Sequence, residues 1–334
     1  MQSQSELIVA ARDLLARHGY PASNLEFLGS GEQSACYGSG QVAVLLGLND
    51  PTEPPDLLGH VIWTGTGTIV RNDYSTLQKI IDLAADGGVQ TPRILAVGDA
   101  PRSYAVIERA QGTPATDHPD LATQEMSWFD QLGGQVGKTN QVRTTGFGMF
   151  APDGSGQIVG CYPTWPDFLN AWMQVYLCVG DARPEDARVL DFLLSQHIVS
   201  ESDLARVAAG VRSASSWTVD SVLTHYDNRL NNLVINNAAV TMLDWDLSCA
   251  GIGLPQEMIK LFESGPASMD NPRVAAFLHG YGLSDAEADE AIDAGKLMLV
   301  MDGLAMSHGW VDQPYRLGGV RGWLQTVRNI SSIW

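Results

Sequence analysis

The sequence predicts an α+β protein of two lobes, a small β-rich N-terminal one and a larger, mostly α-helical C-terminal one. Three observations lead there. The chain has 334 residues, more than a single small core organises well. Short apolar runs broken by glycine fill the first part of the chain, and helix-period patterns prevail later. One polar stretch, Leu223-Thr-His-Tyr-Asp-Asn-Arg-Leu-Asn-Asn-Leu-Val-Ile235 followed by Met242-Leu-Asp-Trp-Asp246, reads as loop, strand, turn and strand.

Taken in order, Ser5 to Gly19 carries Leu7, Ile8, Ala11, Leu14 and Leu15 at helical spacing, and Gly19 stops it. Leu25 to Tyr37 reads as strand, Gly-rich turn and strand, with Gly29 and Gly31 able to bring backbone close to a ligand. Gln41 to Gly47 is a third strand, Asn49 to Asp56 a Pro-rich loop, and Val61 to Arg71 extended chain interrupted by glycines. Tyr74 to Asp86 is a helix whose stripe is Leu77, Ile80, Ile81 and Ala84. Tyr104 to Gly112 reads as a strand leading into a link between lobes. Helices are expected at Ser127 to Thr139, Ala171 to Gly180, Glu185 to His197 and Pro255 to Phe262, the last with proline in its first turn. Val274 to Gly280, Asp285 to Gly309 and Gly319 to Val327 complete the helical lobe. The domain boundaries expected are 1–110 and 111–334, with a hinge near 108–112.

The polar stretch carries the chemistry. Asp227 and Asn232 stand five apart, just after His225, and Asp244 follows twelve residues later. A hairpin of Leu233 to Ile235, a turn at Asn236-Asn237, and Val240 to Leu243 brings Asn232 and Asp244 to the same end of a strand pair. Phosphoryl transfer needs such a set: a carboxylate facing the attacking hydroxyl, and an amide and a second carboxylate holding Mg²⁺ against nucleotide phosphates.

The pattern His-x-Asp-x4-Asn with a following Asp-Trp-Asp resembles the catalytic core of the aminoglycoside phosphotransferase and choline kinase superfamily, which has the protein-kinase-like fold. The resemblance is tight from Leu223 to Pro255 and loose over most of the rest. It implies ATP, with GTP an open alternative, and Mg²⁺. It makes Asp227 the general base or the group orienting the acceptor hydroxyl, and His225 the brace of its loop. Asn232 and Asp244 become the Mg²⁺ ligands, with Asp246 beside them. Gly29, Ser30 and Gly31 fall on the nucleotide-covering loop, and Glu108 and Ala110 on the hinge that meets adenine through its backbone. Arg229, two residues after Asp227, could meet charge developing on the transferred phosphate, or could be a salt bridge on the loop surface.

One departure from the family pattern is plain. The third strand should carry a lysine that grips the phosphates, and Leu45 stands there; the glutamate expected to pair with that lysine falls on Leu77 or Gln78. No lysine occurs before Lys79. Arg71 and Arg229 are the two candidates to replace it, Arg71 only if the strands are displaced by one.

The formal net charge is −18. Such a surface repels nucleic acid and anionic membrane and draws in cations, although solubility alone would also account for it. Cys36, Cys161, Cys178 and Cys249 form no Cys-x-x-Cys, so neither a zinc site nor a disulfide framework is indicated. With no secretory signal or membrane-length apolar run in view, the expected place is the cytoplasm. The expected activity is phosphorylation of a hydroxyl on a small, cationic acceptor such as an aminoglycoside, an amino-alcohol or an antibiotic. Two alternatives stand beside it: a kinase of Ser or Thr in a peptide, and a pseudokinase that kept the fold and lost its phosphate anchor. The sequence does not set the oligomeric state.

Overall fold

A computed structural model describes residues 4–30, 34–48, 73–100, 102–180, 184–237, 239–262 and 265–310. Gly31, Arg71, the Pro-rich loop, the extended segment 61–71 and the helix expected at 319–327 lie outside the described residues. The packing divides the chain into two compact units, and the chain passes between them more than once. One unit takes in the N-terminal elements up to Leu121 and, later in the chain, Leu230–Asp246. The other holds Ala122–Arg229 and the chain from Leu247 onward.

In the first unit, α1 (Gln4–Arg17) precedes strands β1 (Glu26–Ser30), β2 (Ser34–Ser39) and β3 (Val42–Gly47). After α2 (Tyr74–Asp86) come β4 (Ile94–Gly98) and β5 (Tyr104–Glu108). These make one antiparallel sheet in the order β1-β2-β3-β5-β4. Leu7, Ala11, Leu14 and Leu15 of α1 face Tyr37, Val44, Leu46, Tyr104 and Val106 of the sheet, and this apolar cluster is the unit's core. α2 begins where the sequence places it because Asp73 caps it, accepting the Thr76 N–H at 3.1 Å.

The later segment returns to this unit as a hairpin. β10 (Leu233–Asn236) and β11 (Ala239–Met242) pair in the register Leu233↔Met242 to Asn236↔Ala239. β10 also pairs with the short β6 (Thr113–Pro114), and the Met242 N–H reaches the Gln90 carbonyl at 2.9 Å. Gly112, at φ 129°, lies so close to the Ile235 carbonyl that no Cβ fits there.

The second unit opens with α3 (Leu121–Thr139), which starts before the expected Ser127 and contributes from Ala122 onward. A hairpin of β7 (Phe147–Pro152) and β8 (Ile158–Tyr162) follows, turned at Asp153, whose carboxylate accepts the N–H of Ser155 and of Gln157. The helix expected at Ala171 to Gly180 is α4, Trp165–Tyr176. It starts six residues early because Thr164 caps it, accepting the Asp167 N–H at 3.2 Å. α5 (Pro184–Ser195) and α6 (Glu201–Ala214) come next, the latter opened by a Ser200/Asp203 capping box. β7 and β8 join β9 (Val222–Thr224) and β12 (Cys249–Gly251) in the order β8-β7-β12-β9.

The single helix expected at Pro255 to Phe262 is two short ones, α7 (Leu254–Glu257) and α8 (Ile259–Phe262), with Met258 between them. α9 (Pro272–Tyr281) and α10 (Asp285–Trp310) complete the unit. α3 and α9 touch backbone to backbone: a Cβ on Gly133 would strike the Phe277 carbonyl, and one on Gly280 the Asp130 carbonyl. Among the described residues no helix is long and apolar enough to cross a membrane.

Candidate active site

The expected site residues fall into two groups, a loop in the second unit and a hairpin in the first, and each has its own geometry. β9 ends at Thr224, and the chain enters the loop at His225, which is 1 % exposed. The His225 ring faces the loop's own backbone: Nδ1 accepts the Asp227 N–H at 3.3 Å, which leaves the ring proton for Nε2. The Ser248 hydroxyl adds a contact of 3.5 Å to the His225 carbonyl.

Beneath the loop lies Glu257, a fully buried carboxylate at the end of α7. Its Oε1 accepts the His225 N–H at 2.8 Å and Asn140 Nδ2 at 3.1 Å; its Oε2 accepts the Tyr226 N–H at 2.9 Å and Asn228 Nδ2 at 2.7 Å. Burial pushes the Glu257 pKa up, and these four donors pull it back. Nothing in the sequence marks Glu257, because its partners lie 29 to 117 residues away in the chain.

Asp227 itself is mostly buried, its side chain 14 % exposed, and Arg229 Nε stands 2.8 Å from its Oδ1. The two meet as an ion pair on the loop. The Arg229 side chain is 42 % exposed. The loop-surface ion pair, one of the two alternatives for this arginine, is present. Asn228 is turned inward onto Glu257, and Tyr226 takes a positive φ of 74°.

In the first unit, Asn232 and Asp244 sit where the hairpin register puts them. Asn232 precedes β10, its carbonyl accepts the Leu243 N–H at 2.8 Å, and Asp244 is the next residue. Asn232 is buried and Asp244 exposed. Asp244 has φ 60°, a conformation that aspartate tolerates better than most side chains. Among the described residues no three His, Cys, Asp or Glu groups gather as a metal cage. One amide and one carboxylate suit Mg²⁺, which keeps waters and takes phosphate oxygens for its remaining positions. Asp246 is exposed, yet the protein packed about it pushes its carboxyl up to about 6. It lies near Tyr74 at the start of α2, whose hydroxyl is pushed up first by burial and then by that carboxylate.

The β1–β2 register shifts between Phe27 and Gly29, a bulge at Leu28 with Gly29 at φ 156°, so β1 bends near its end. Ser30 ends that strand exposed. On the hinge, the Glu108 N–H is bound to the Arg93 carbonyl at 2.9 Å and its side chain accepts the Arg93 N–H at 3.0 Å. The Glu108 N–H is therefore already committed; Ala110 is partly exposed.

Leu45 lies in the middle of β3, between Cys36 and Ala105. On α2, Leu77 is buried, and Gln78 donates to the Ile94 carbonyl at 3.1 Å. The neighbouring cations have other partners: Arg109 pairs with Glu26 at 2.7 Å, and Arg102 donates to the Gly47 carbonyl at 2.6 Å.

Comparison with known proteins shows the family and the fold. The model of the phosphotransferase enzyme family matches residues 74–292. The chain is 24 % identical over 275 residues to hygromycin-B 4-O-kinase of Escherichia coli, covering 75 % of this chain and 73 % of that one. Aminoglycoside phosphotransferase APH(4)-Ia superposes with a TM-score of 0.63 at 18 % identity, over 97 % of this chain and 98 % of that one. A thermostable mutant of that enzyme, in ternary complex with AMP-PNP and hygromycin B, gives 0.60 at 20 % identity, over 95 % and 97 %. A choline/ethanolamine kinase family protein from Mesorhizobium loti gives 0.56 at 16 % identity, over 98 % and 94 %. With about two-thirds of its length under the family model and the fold of these kinases, the chain belongs to the phosphotransferase enzyme family.

Proposed function

We propose that this protein transfers the γ-phosphoryl group of ATP to a hydroxyl of a small cationic acceptor of the aminoglycoside kind. The observation that carries the proposal is the bracing of the Asp227 loop. His225 and Glu257 fix its backbone from two sides, a level of preorganisation that a polar turn does not need. In this reading Asp227 orients the acceptor hydroxyl and takes its proton as the new O–P bond forms. Arg229 keeps the Asp227 carboxylate in place and lends positive charge beside it. Asn232 and Asp244 would hold Mg²⁺, which offsets the charge of the triphosphate. The N-terminal lobe, 1–110, would carry the nucleotide. Glu108, through its carbonyl, and Ala110 would meet the base, and Gly29 to Gly31 the phosphates. The lobe from 111 would carry the acceptor.

The acceptor class rests on the net charge of −18 and on the relatives, one named for hygromycin B and others for aminoglycosides. A second reading keeps one observation in its favour. Leu45, Leu77 and Gln78 leave β3 and α2 without the lysine–glutamate pair, as a pseudokinase would. Nucleotide consumption with Mg²⁺, followed across amino-sugars including hygromycin B, amino-alcohols and hydroxyl-bearing peptides, separates the readings. Turnover with an amino-sugar supports the proposal, turnover with peptides alone moves the acceptor class, and no turnover with any of them favours the pseudokinase.

A further inference from the structure

The pattern His-x-Asp leaves its middle position open, and this chain fills it with a tyrosine that is tied down at every end. Tyr226 is 5 % exposed and has φ 74°, a left-handed conformation costly for an aromatic residue. Its N–H is held by Glu257. Its hydroxyl donates to Asp302 Oδ1 on α10 at 2.5 Å. The other oxygen of Asp302 meets Lys260 Nζ on α8 at 3.3 Å, and the same ammonium lies 5.8 Å from the centre of the Tyr226 ring. Lys260 and Asp302 are both buried. The gap beside them, between Phe168, Trp172, Gln256 and Met298, is only about 10 Å³, the lower limit for one water molecule. The tyrosine hydroxyl and the ammonium therefore do for Asp302 what water does elsewhere.

We propose that Lys260 and Asp302 form a buried anchor that holds Tyr226 in its left-handed conformation and so aims Asp227, making Tyr226 a positioning residue for phosphoryl transfer. A rotation of the Tyr226 backbone toward an ordinary φ would carry the next residue, Asp227, away from its place. Glu257 restrains that rotation at the peptide, and the anchor restrains it at the far end of the ring. The inference rests on the reading of Asp227 as the group that handles the acceptor proton.

Tyr226→Phe tests it, since the ring stays and only the hydroxyl goes. The readout is Mg-ATP turnover, measured with water alone and with hygromycin B as acceptor, beside the nucleotide Kd and the melting temperature. A misplacement of about 1 Å costs on the order of 100-fold in rate, so kcat should fall about 10- to 100-fold while KM and Kd for nucleotide stay within about twofold. A second variant, Lys260→Met with Asp302→Leu, replaces the ion pair by apolar side chains and removes the anchor without leaving a lone buried charge. It should lose kcat to the same extent as Tyr226→Phe. Asp227→Ala is run alongside. If Asp227→Ala is inactive and both anchor variants turn over at the wild-type kcat, this inference is overturned and the role of Asp227 stands. If Asp227→Ala retains wild-type turnover, both fall. A drop in kcat matched by an equal rise in KM, or one explained by loss of fold in both anchor variants, also overturns the positioning role.

Discussion

Replacing Glu257 by glutamine changes one atom and should damage the molecule out of proportion. Each oxygen of this buried carboxylate accepts two N–H donors, His225 and Asn140 on one side, Tyr226 and Asn228 on the other. An amide group has one oxygen and one NH₂. Whichever way the glutamine turns, its NH₂ faces two donors that lose their acceptor. A buried donor left unsatisfied costs about 1–3 kcal/mol, so the loss should be about 2–6 kcal/mol. That is a large share of the ~5–15 kcal/mol that holds a typical domain folded. At about 2–4 °C per kcal/mol for a unit of this size, the melting temperature should drop by at least about 4 °C in calorimetry. Amide exchange should quicken with it at His225 or at Tyr226, whichever of the two faces the NH₂, because that N–H loses its partner. The reasoning is refuted if Glu257→Gln melts within about 1 °C of wild type and keeps the same exchange at those two amides. That result would mean that Glu257 already carries a proton, driven on by its burial, and donates where it is described as accepting.

Three further outcomes are expected. Asn232→Ala and Asp244→Ala should each weaken nucleotide binding in the presence of Mg²⁺ and leave metal-free binding unchanged, as read by calorimetric titration; wild-type Mg²⁺ dependence in both would remove them as ligands. The KM for a cationic acceptor such as hygromycin B should rise with added salt, since screening shortens the reach of a net charge of −18; a KM indifferent to salt would point to a neutral acceptor. Gly280→Ala should destabilise by about 1–3 kcal/mol despite the better helix propensity of alanine. The new Cβ meets the Asp130 backbone, which cannot swing aside as a side chain could. An unchanged or higher melting temperature would show that α3 and α9 can part at no cost.

What the sequence discloses follows the range of the interactions involved. α2 begins and ends at the expected Tyr74 and Asp86 because a cap, an apolar stripe and a terminal glycine are all local signals. The β10–β11 hairpin is legible for the same reason, and its register carries Asn232 and Asp244 with it. Thr164 and Asp167 announce the start of α4 just as locally, but the apolar run further on draws the expected boundary to Ala171. The β7–β8 hairpin is marked by Asp153-Gly154, a turn signal masked by the glycines around it. Glu257 and the Lys260–Asp302–Tyr226 group are not legible at all. Their meaning lies in contacts 29 to 117 residues apart along the chain, and in sequence each is one charged or aromatic residue among many. The missing lysine, by contrast, is visible at once, since Leu45 and the absence of any lysine before Lys79 need no structure to see.

The account turns on Asp227, and its most direct test is single-turnover phosphoryl transfer from γ-labelled ATP in wild type and in Asp227→Asn, with Mg²⁺ and hygromycin B. The asparagine keeps the size of the side chain and removes its capacity to take a proton. Loss of a positioned general base lowers rates by about 10²- to 10⁴-fold. The variant should fall by that much while its nucleotide Kd stays within about twofold of wild type and its melting temperature is preserved. Transfer at the wild-type rate in Asp227→Asn would contradict the account, because the loop that His225 and Glu257 brace would then be holding a residue the reaction does not use.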